Sequence, residues 1–323
     1  MTNKINSIGF IGLGNVGGKL AGSLLRNGFD VTVLDLNSEL MDSFVARGVI
    51  RGESPEKLMK NNDLVITCLP SPAACAQVME GENGLLEGMD KGKIWLEMST
   101  TDEGEIKRLA KKVEEKGGEA VDCPVSGGCH RADTGNISIF AGCYRETFER
   151  VLPVLTTLGR RVLHTGPIGT ASVLKVMTNY LATANLLTVC EALVTMKGAG
   201  LDLATTYEAI KISSGNSFVH ETESQVILNG SRDISFTMDL VRKDIGLFQK
   251  IAEGAGIPLE ISPLMVDIFD DGIKRYGERA QSDDIIKRLE EATGLDITAP
   301  GFPTEMIDDE PEEKGYEVVP IGK

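Results

Sequence analysis

A short apolar run, Ser7 to Ile11, leads straight into Gly12-Leu13-Gly14-Asn15-Val16-Gly17, after which Lys19 to Arg26 carries apolar residues at helical spacing. Gly28 ends that helix, and a second apolar run, Val31 to Leu36, holds Asp35, 18 residues past Gly17. Strand, glycine turn, helix and strand in this order predict a βαβ unit. The glycines permit a tight turn and close approach of a ligand to the backbone, and the start of the helix attracts a pyrophosphate. Gly12, Leu13, Gly14, Asn15, Val16 and Gly17 are therefore candidate cofactor contacts, with Asp35 accepting hydrogen bonds from a ribose hydroxyl. A carboxylate there repels the extra phosphate of NADP, so NAD is the expected cofactor and NADP the less favoured one. The plainer role for Asp35 is a turn acid at a strand end.

Further strand-like runs recur at Leu64 to Leu69, Lys93 to Met98, Glu119 to Cys123, Ile137 to Ala141 and Arg161 to His164, with helical stretches between several of them. Such alternation predicts a mostly parallel, doubly wound sheet with helices on both faces and ligand contacts at the carboxyl ends of its strands. Three of those ends stand out: Leu69-Pro70, Ser99-Thr100 and Pro124-Val125-Ser126-Gly127-Gly128. In the third, a hydroxyl followed by two glycines offers backbone N–H groups that can wrap a carboxylate, against the alternative of an ordinary turn.

Gly166, Pro167 and Gly169 then interrupt the chain, and no Gly or Pro appears from Thr170 to Lys197. The spacing predicts a helix of about 28 residues and roughly 42 Å. Its only charged residues are Lys175, Glu191 and Lys197, so most of its circumference must be covered, by its own domain or by a partner subunit. Lys175 is costly in such a place, and Asn179, four positions on, shares its face. Burial disfavours the charged form of an amine, which makes Lys175 a candidate proton donor and acceptor. A lone helical lysine is otherwise a solvated surface residue.

At 323 residues and 41% hydrophobic content the chain is long enough for two cores. Beyond residue 199 the segments read as helices: Leu203 to Ile212, Phe218 to Leu228, Met238 to Ala252, Pro263 to Gly277 and Ser282 to Thr293. The expected organisation is α/β: a Rossmann-type doubly wound domain at 1–166, an all-α domain at 167–298 that opens on the long helix, and an acidic tail at 299–323. Asp308, Asp309, Glu310, Glu312 and Glu313 cluster in that tail, which is expected to lie on the surface, ordered by packing on a neighbour. Lys243, beside Asp244 in mid-helix, reads as part of an intrahelical salt bridge.

With 33 basic against 48 acidic residues the net charge is -15, which disfavours nucleic acid and anionic membrane surfaces as partners. The Met1 to Asn6 leader is too short and polar for a signal peptide, and the six cysteines form no C-x-x-C pair, so a reducing, cytoplasmic setting is expected. No metal site is expected, because the only Cys/His adjacency, Cys129-His130, falls short of the four ligands of structural zinc.

Together these motifs resemble the β-hydroxyacid dehydrogenase family, which includes 3-hydroxyisobutyrate dehydrogenase and tartronate semialdehyde reductase, over residues 5 to about 295. The resemblance rests on Gly9-Phe10-Ile11-Gly12-Leu13-Gly14 with Gly17, on Leu69-Pro70, on Ser99-Thr100, on Asp122-Cys123-Pro124-Val125-Ser126-Gly127-Gly128, on Gly166 through Lys175 to Asn179, and on Lys243-Asp244. It implies that Lys175 is the catalytic acid/base, that Asn179 orients the substrate, and that Ser126, Gly127 and Gly128 hold its carboxylate. It further implies that Leu69, Pro70, Thr100 and Lys243 contact the dinucleotide.

The reaction so implied is reversible hydride transfer between nicotinamide and a short 3-hydroxy acid of the 3-hydroxyisobutyrate kind, in a homodimer or homotetramer. The chain departs from the family after the Ser-Gly-Gly loop, where small residues are usual and Cys129-His130-Arg131 stand here. Arg131 there raises a second reading, in which it grips another anionic group of a dianionic hydroxy acid or a semialdehyde: 2-hydroxymethylglutarate, tartronate semialdehyde or a sulfonate analogue. A reading of another class is a non-catalytic NAD-binding scaffold, against which the presence of Lys175 counts.

Overall fold

The computed structural model describes residues 5–322, so that residues 1–4 of the leader lie outside the description. The chain divides into two compact units. One runs to Lys175 and also takes in the residues from Glu310 onward; the other is Val176–Asp309.

The first unit runs β1 (Ser7–Ile11), α1 (Gly17–Arg26), β2 (Asp30–Leu34), α2 (Ser38–Val45), β3 (Ile50–Arg51), α3 (Pro55–Asn61), β4 (Leu64–Thr67), α4 (Pro72–Glu80), α5 (Leu85–Gly88), β5 (Ile94–Glu97) and α6 (Glu103–Glu115). It continues with β6 (Glu119–Asp122), β7 (Val125–Ser126), α7 (Gly128–Thr134), β8 (Ser138–Gly142), α8 (Arg145–Leu158) and β9 (Arg161–Gly166). The long α9 (Thr170–Gly198) begins here and passes into the second unit, which adds α10 (Leu203–Lys211), α11 (Phe218–Asn229), α12 (Met238–Gly254), α13 (Ile261–Tyr276), a 3-10 turn at Ser282–Ile286 and α14 (Lys287–Thr293). A last strand, β10 (Tyr316–Glu317), returns to the first unit.

The sheet order is β10-β9-β8-β6-β5-β4-β1-β2-β3, with β7 paired to β8. From β3 to β6 every pairing is parallel, in the order of a dinucleotide-binding fold, and β1 sits between β2 and β4 at the point where the winding reverses. β8 then pairs antiparallel to β6 and parallel to β9. The central strands are near-continuous apolar runs because both faces are covered. Ile94 and Leu96 of β5 enter the core on one face with Phe10, Leu20 and Leu24, while Trp95 between them enters the other with Leu58, Met79 and Ile106.

The second unit is helical and packs Leu193, Val241, Ile245, Met265 and Phe269 around a core of its own. The stretch expected as one helix from Ser282 to Thr293 is a 3-10 turn followed by a short α-helix. Among the described residues no helix is long and apolar enough to cross a membrane.

The acidic tail differs most from its expectation. Its last part packs on its own chain. Tyr316 and Glu317 pair in parallel with Arg161 and Val162 of β9, and Val318 N donates to Val162 O at 2.7 Å. Its acids meet arginines of the same unit: Glu317 binds Arg145 through both oxygens, Glu313 pairs with Arg160, and Glu310 lies 3.0 Å from Arg131 and 3.3 Å from Arg161. Local composition shows an acidic, Pro-containing segment but not the arginines that await it on distant elements.

Candidate active site

The glycine turn between β1 and α1 shows three separate reasons for glycine. Gly12 has φ +96°, and a Cβ on it would stand 2.2 Å from the Cys68 carbonyl oxygen. A Cβ on Gly17 would stand 2.0 Å from the Gly12 carbonyl oxygen, so close packing of turn on helix demands its absence. Gly14 is exposed, and a Cβ there would meet no protein atom within 4 Å. Protein packing does not call for glycine at Gly14, and its bare backbone leaves room for the close approach of a ligand. α1 has no side-chain cap and no acid in its first turn, which leaves its positive end to an anion. This donor set fits a dinucleotide pyrophosphate.

Asp35 stands one residue beyond β2 and is half-buried. One carboxylate oxygen accepts from Leu13 N at 2.6 Å and the other from Asn37 N at 2.7 Å, so Asp35 fastens the glycine turn to the end of β2. The turn-acid role and the ribose role are compatible, since each carboxylate oxygen has a second lone pair.

Leu69 and Pro70 follow β4, and Ser99 and Thr100 follow β5, at the same edge of the sheet as the glycine turn. Ser99 Oγ accepts from Leu69 N at 2.7 Å and thereby ties the two turns together. Ser126 ends β7, and Gly127 and Gly128, with φ of +129° and +85°, bend the chain into α7. Arg131 follows on α7 with its Cδ beside Gly127 and its guanidinium on Glu310. An anion from the chain's own tail thus already meets this arginine.

Asp122, at the end of β6, is a residue to which the sequence pattern assigns no role. Its carboxylate accepts from Gly169 N at 3.1 Å, from Ser172 N at 2.9 Å and from Ser172 Oγ at 2.7 Å. Gly169 has no side chain to cap α9, so a carboxylate from another element takes the N–H groups that a capping box would satisfy. Burial pushes this carboxyl up to about 6, against the pull of the Ser172 and Gly169 donors. Lys175 follows Ser172 by three residues on the same helix and is 8% exposed. The start of the helix that carries Lys175 is thus pinned to the sheet.

Asn179 lies one turn beyond Lys175 and belongs to the second unit. Its Nδ2 donates to Asp244 Oδ2 at 2.5 Å, and the Lys243 ammonium lies 3.1 Å from Asp244 Oδ1. The pairing of Lys243 with Asp244 follows the sequence expectation. That Asp244 also holds Asn179, 65 positions earlier, is a contact between helices that intrahelical spacing does not reveal.

The chain also matches known proteins. The family described as the NAD binding domain of 6-phosphogluconate dehydrogenase matches residues 7–166, and the one described as NAD-binding of NADP-dependent 3-hydroxyisobutyrate dehydrogenase matches residues 169–289. The 2-(hydroxymethyl)glutarate dehydrogenase of Eubacterium barkeri is 33% identical over 91% of this chain and 98% of its own. The mitochondrial 3-hydroxyisobutyrate dehydrogenase of Mus musculus is 30% identical over 81% of this chain and 80% of its own. The crystal structure of 3-hydroxyisobutyrate dehydrogenase from Salmonella typhimurium superimposes with a TM-score of 0.81 at 24% identity, over 87% of this chain and 99% of that one. With a glycine turn, sheet order and helical second unit of the matching kind, the chain belongs to the β-hydroxyacid dehydrogenase family of NAD-binding oxidoreductases.

Proposed function

We propose that the protein is an NAD-dependent dehydrogenase of a short 3-hydroxy acid, with Lys175 as its general acid/base. The observation that carries the reading is a buried lysine on a helix whose first turn is fixed by Asp122. Bound NAD supplies the hydride acceptor. Lys175 takes the substrate's hydroxyl proton in oxidation, so that the carbon losing hydride becomes a carbonyl and not a cation, and returns it in reduction. Asn179, held by Asp244, orients the substrate, and the Ser126-Gly127-Gly128 turn holds its carboxylate with hydroxyl and backbone N–H groups. Gly12 through Gly17, Asp35, Leu69, Pro70, Thr100 and Lys243 serve the dinucleotide, and Asp35 sets the preference for NAD over NADP.

Six free cysteines support work in a reducing, cytoplasmic setting, and the family supports a homodimer or homotetramer, which light scattering measures directly.

Lys175→Ala is expected to lower kcat by roughly 10² to 10⁴ while the affinity for NADH, measured by calorimetry, stays close to wild type. A variant within about threefold of wild type in kcat removes Lys175 from the mechanism. The relative named 2-(hydroxymethyl)glutarate dehydrogenase, aligned along 98% of its length, favours a second reading in which the substrate carries two carboxylates. In that case Arg131, which pairs with Glu310 at 3.0 Å, is the cation proposed to receive the second one, and a loss in Arg131→Ala that is equal for mono- and dianionic acids argues against it. Comparing kcat/KM for 3-hydroxyisobutyrate and 2-hydroxymethylglutarate decides between the two, and inactivity on every hydroxy acid tried returns the non-catalytic scaffold.

A further inference from the structure

Glu97 is the last residue of β5 and is completely buried. Oε2 accepts from Thr67 Oγ1 and from Cys75 Sγ, each at 2.7 Å, and Oε1 accepts from Ser99 N at 2.6 Å. The direction of the Thr67 bond is set from behind, because Trp95 Nε1 donates to Thr67 Oγ1 at 2.9 Å and leaves that hydroxyl proton for Glu97. Ser99 passes the connection on by accepting from Leu69 N. A single carboxyl thus joins the end of β4, the second turn of α4 and the turn after β5. Burial drives its pKa up, and the bonds from Cys75, Ser99 and Thr67 pull it back.

A buried acid is a poor way to stabilise a core, since an apolar side chain of similar volume commonly does as well or better. The bonds of Glu97 lie at the carboxyl edge of the sheet, where ligands bind in this architecture; those to Thr67 and Cys75 flank Leu69 and Pro70, and that to Ser99 adjoins Thr100.

We infer that Glu97 is a positioning residue for the dinucleotide, acting through Thr67, Ser99 and Leu69 to hold the β4 and β5 turns in their binding conformation before the ligand arrives. The inference rests on the dinucleotide reading of the site. Holding the turns in advance removes the cost of ordering them on binding, so the effect belongs in cofactor affinity and not in the chemical step.

The test compares Glu97→Gln and Glu97→Met with wild type by calorimetry with NADH, by thermal unfolding, and by separate kcat and KM for NAD. Gln keeps the shape but turns an N–H₂ toward donors, and Met removes the acceptors altogether. Both are expected to raise the Kd for NADH about tenfold or more, to raise KM for NAD in parallel, and to leave kcat at saturating NAD within about threefold; Met is expected to keep the melting temperature. Ser99→Ala severs only the link to Leu69 and is expected to raise the Kd several-fold, which keeps the inference open to refutation if both Glu97 variants fail to fold. A Kd within about twofold of wild type in a folded Glu97 variant or in Ser99→Ala overturns it. Failure of the wild-type protein to bind NADH or NADPH overturns the dinucleotide reading itself, and the positioning role with it.

Discussion

Asp35 and Asp122 each accept backbone N–H groups near the carboxyl ends of strands, yet they hold different things. Asp35 fastens a glycine turn whose Gly14 is exposed, whereas Asp122 closes the end of a helix inside the protein. Asp35→Ala is expected to raise the KM for NAD by about 10- to 100-fold, the weight of one or two charge-assisted hydrogen bonds, and to narrow the gap between NAD and NADP. Steady-state kinetics with both cofactors measures this. An unchanged preference would mean that the ribose is held elsewhere. The proposed proton transfer by Lys175 belongs to the same scale and would depend on Asp122, because such a group is only as well placed as the helix turn that carries it.

Among elements, β10 is two residues long and joins its unit through backbone bonds to β9 and the Glu317–Arg145 ion pair. Exposed ion pairs are individually weak, so the backbone bonds to β9 and the fit of Gly315 must carry the docking. A Cβ on Gly315 would lie 1.9 Å from the Gly159 carbonyl oxygen and 3.0 Å from that of Thr156. Gly315→Ala is therefore expected to lift the strand, cost roughly 1–3 kcal/mol of stability, and expose the segment after Asp309 to proteases. Calorimetric unfolding and limited proteolysis check both effects, and a variant that melts and resists cleavage like wild type would show that the tail is held without β10. A lifted strand also leaves β9 as a bare edge, so concentration-dependent association is expected to accompany the loss.

At the scale of the whole molecule, buried acids shape the response to pH. Burial raises the carboxyls of Glu97, Glu223 and Asp283 and carries Asp122 up to about 6. A folded state that keeps these protons after the unfolded chain has released them is favoured at low pH; the contribution is complete below about pH 4 and is lost as pH rises through the folded values, near 6 for Asp122. His220 opposes this, since burial lowers it and its contribution is lost as pH falls below 6.5. Acids lowered by hydrogen bonds and partners, Asp63, Asp239 and Glu80 among them, add stability above about pH 4.5 that is lost on acidification. Raised acids outnumber the one lowered histidine, and the net charge of -15 at pH 7 adds repulsion. The melting temperature is thus expected to peak at about pH 4.5 to 5 and to fall toward pH 8. Asp122→Asn should flatten the slope between about pH 4 and 6, and a wild-type protein most stable at pH 8 would contradict the sign.

Much of the architecture is legible in the sequence because it depends on short-range rules. Apolar runs of strand length, glycines at a turn, and a Gly- and Pro-free stretch after Gly169 predict β1, β4, β5, β6 and α9 within a residue or two, since local sterics and burial on both faces dictate them. The candidate residues Gly12, Gly14, Asp35, Ser126, Lys175 and Asn179 are legible for the same reason: each is an exception within a local pattern. The partners that hold them are not. Asp122 reaches Ser172 across 50 positions, Glu97 reaches Thr67 across 30 and Cys75 across 22, and Glu310 reaches Arg131 across 179. A hydrogen bond or ion pair of that kind leaves no period in the chain. It exists only once strand order and the return of the tail have brought the two groups within about 3 Å, and that proximity is decided by the tertiary structure alone.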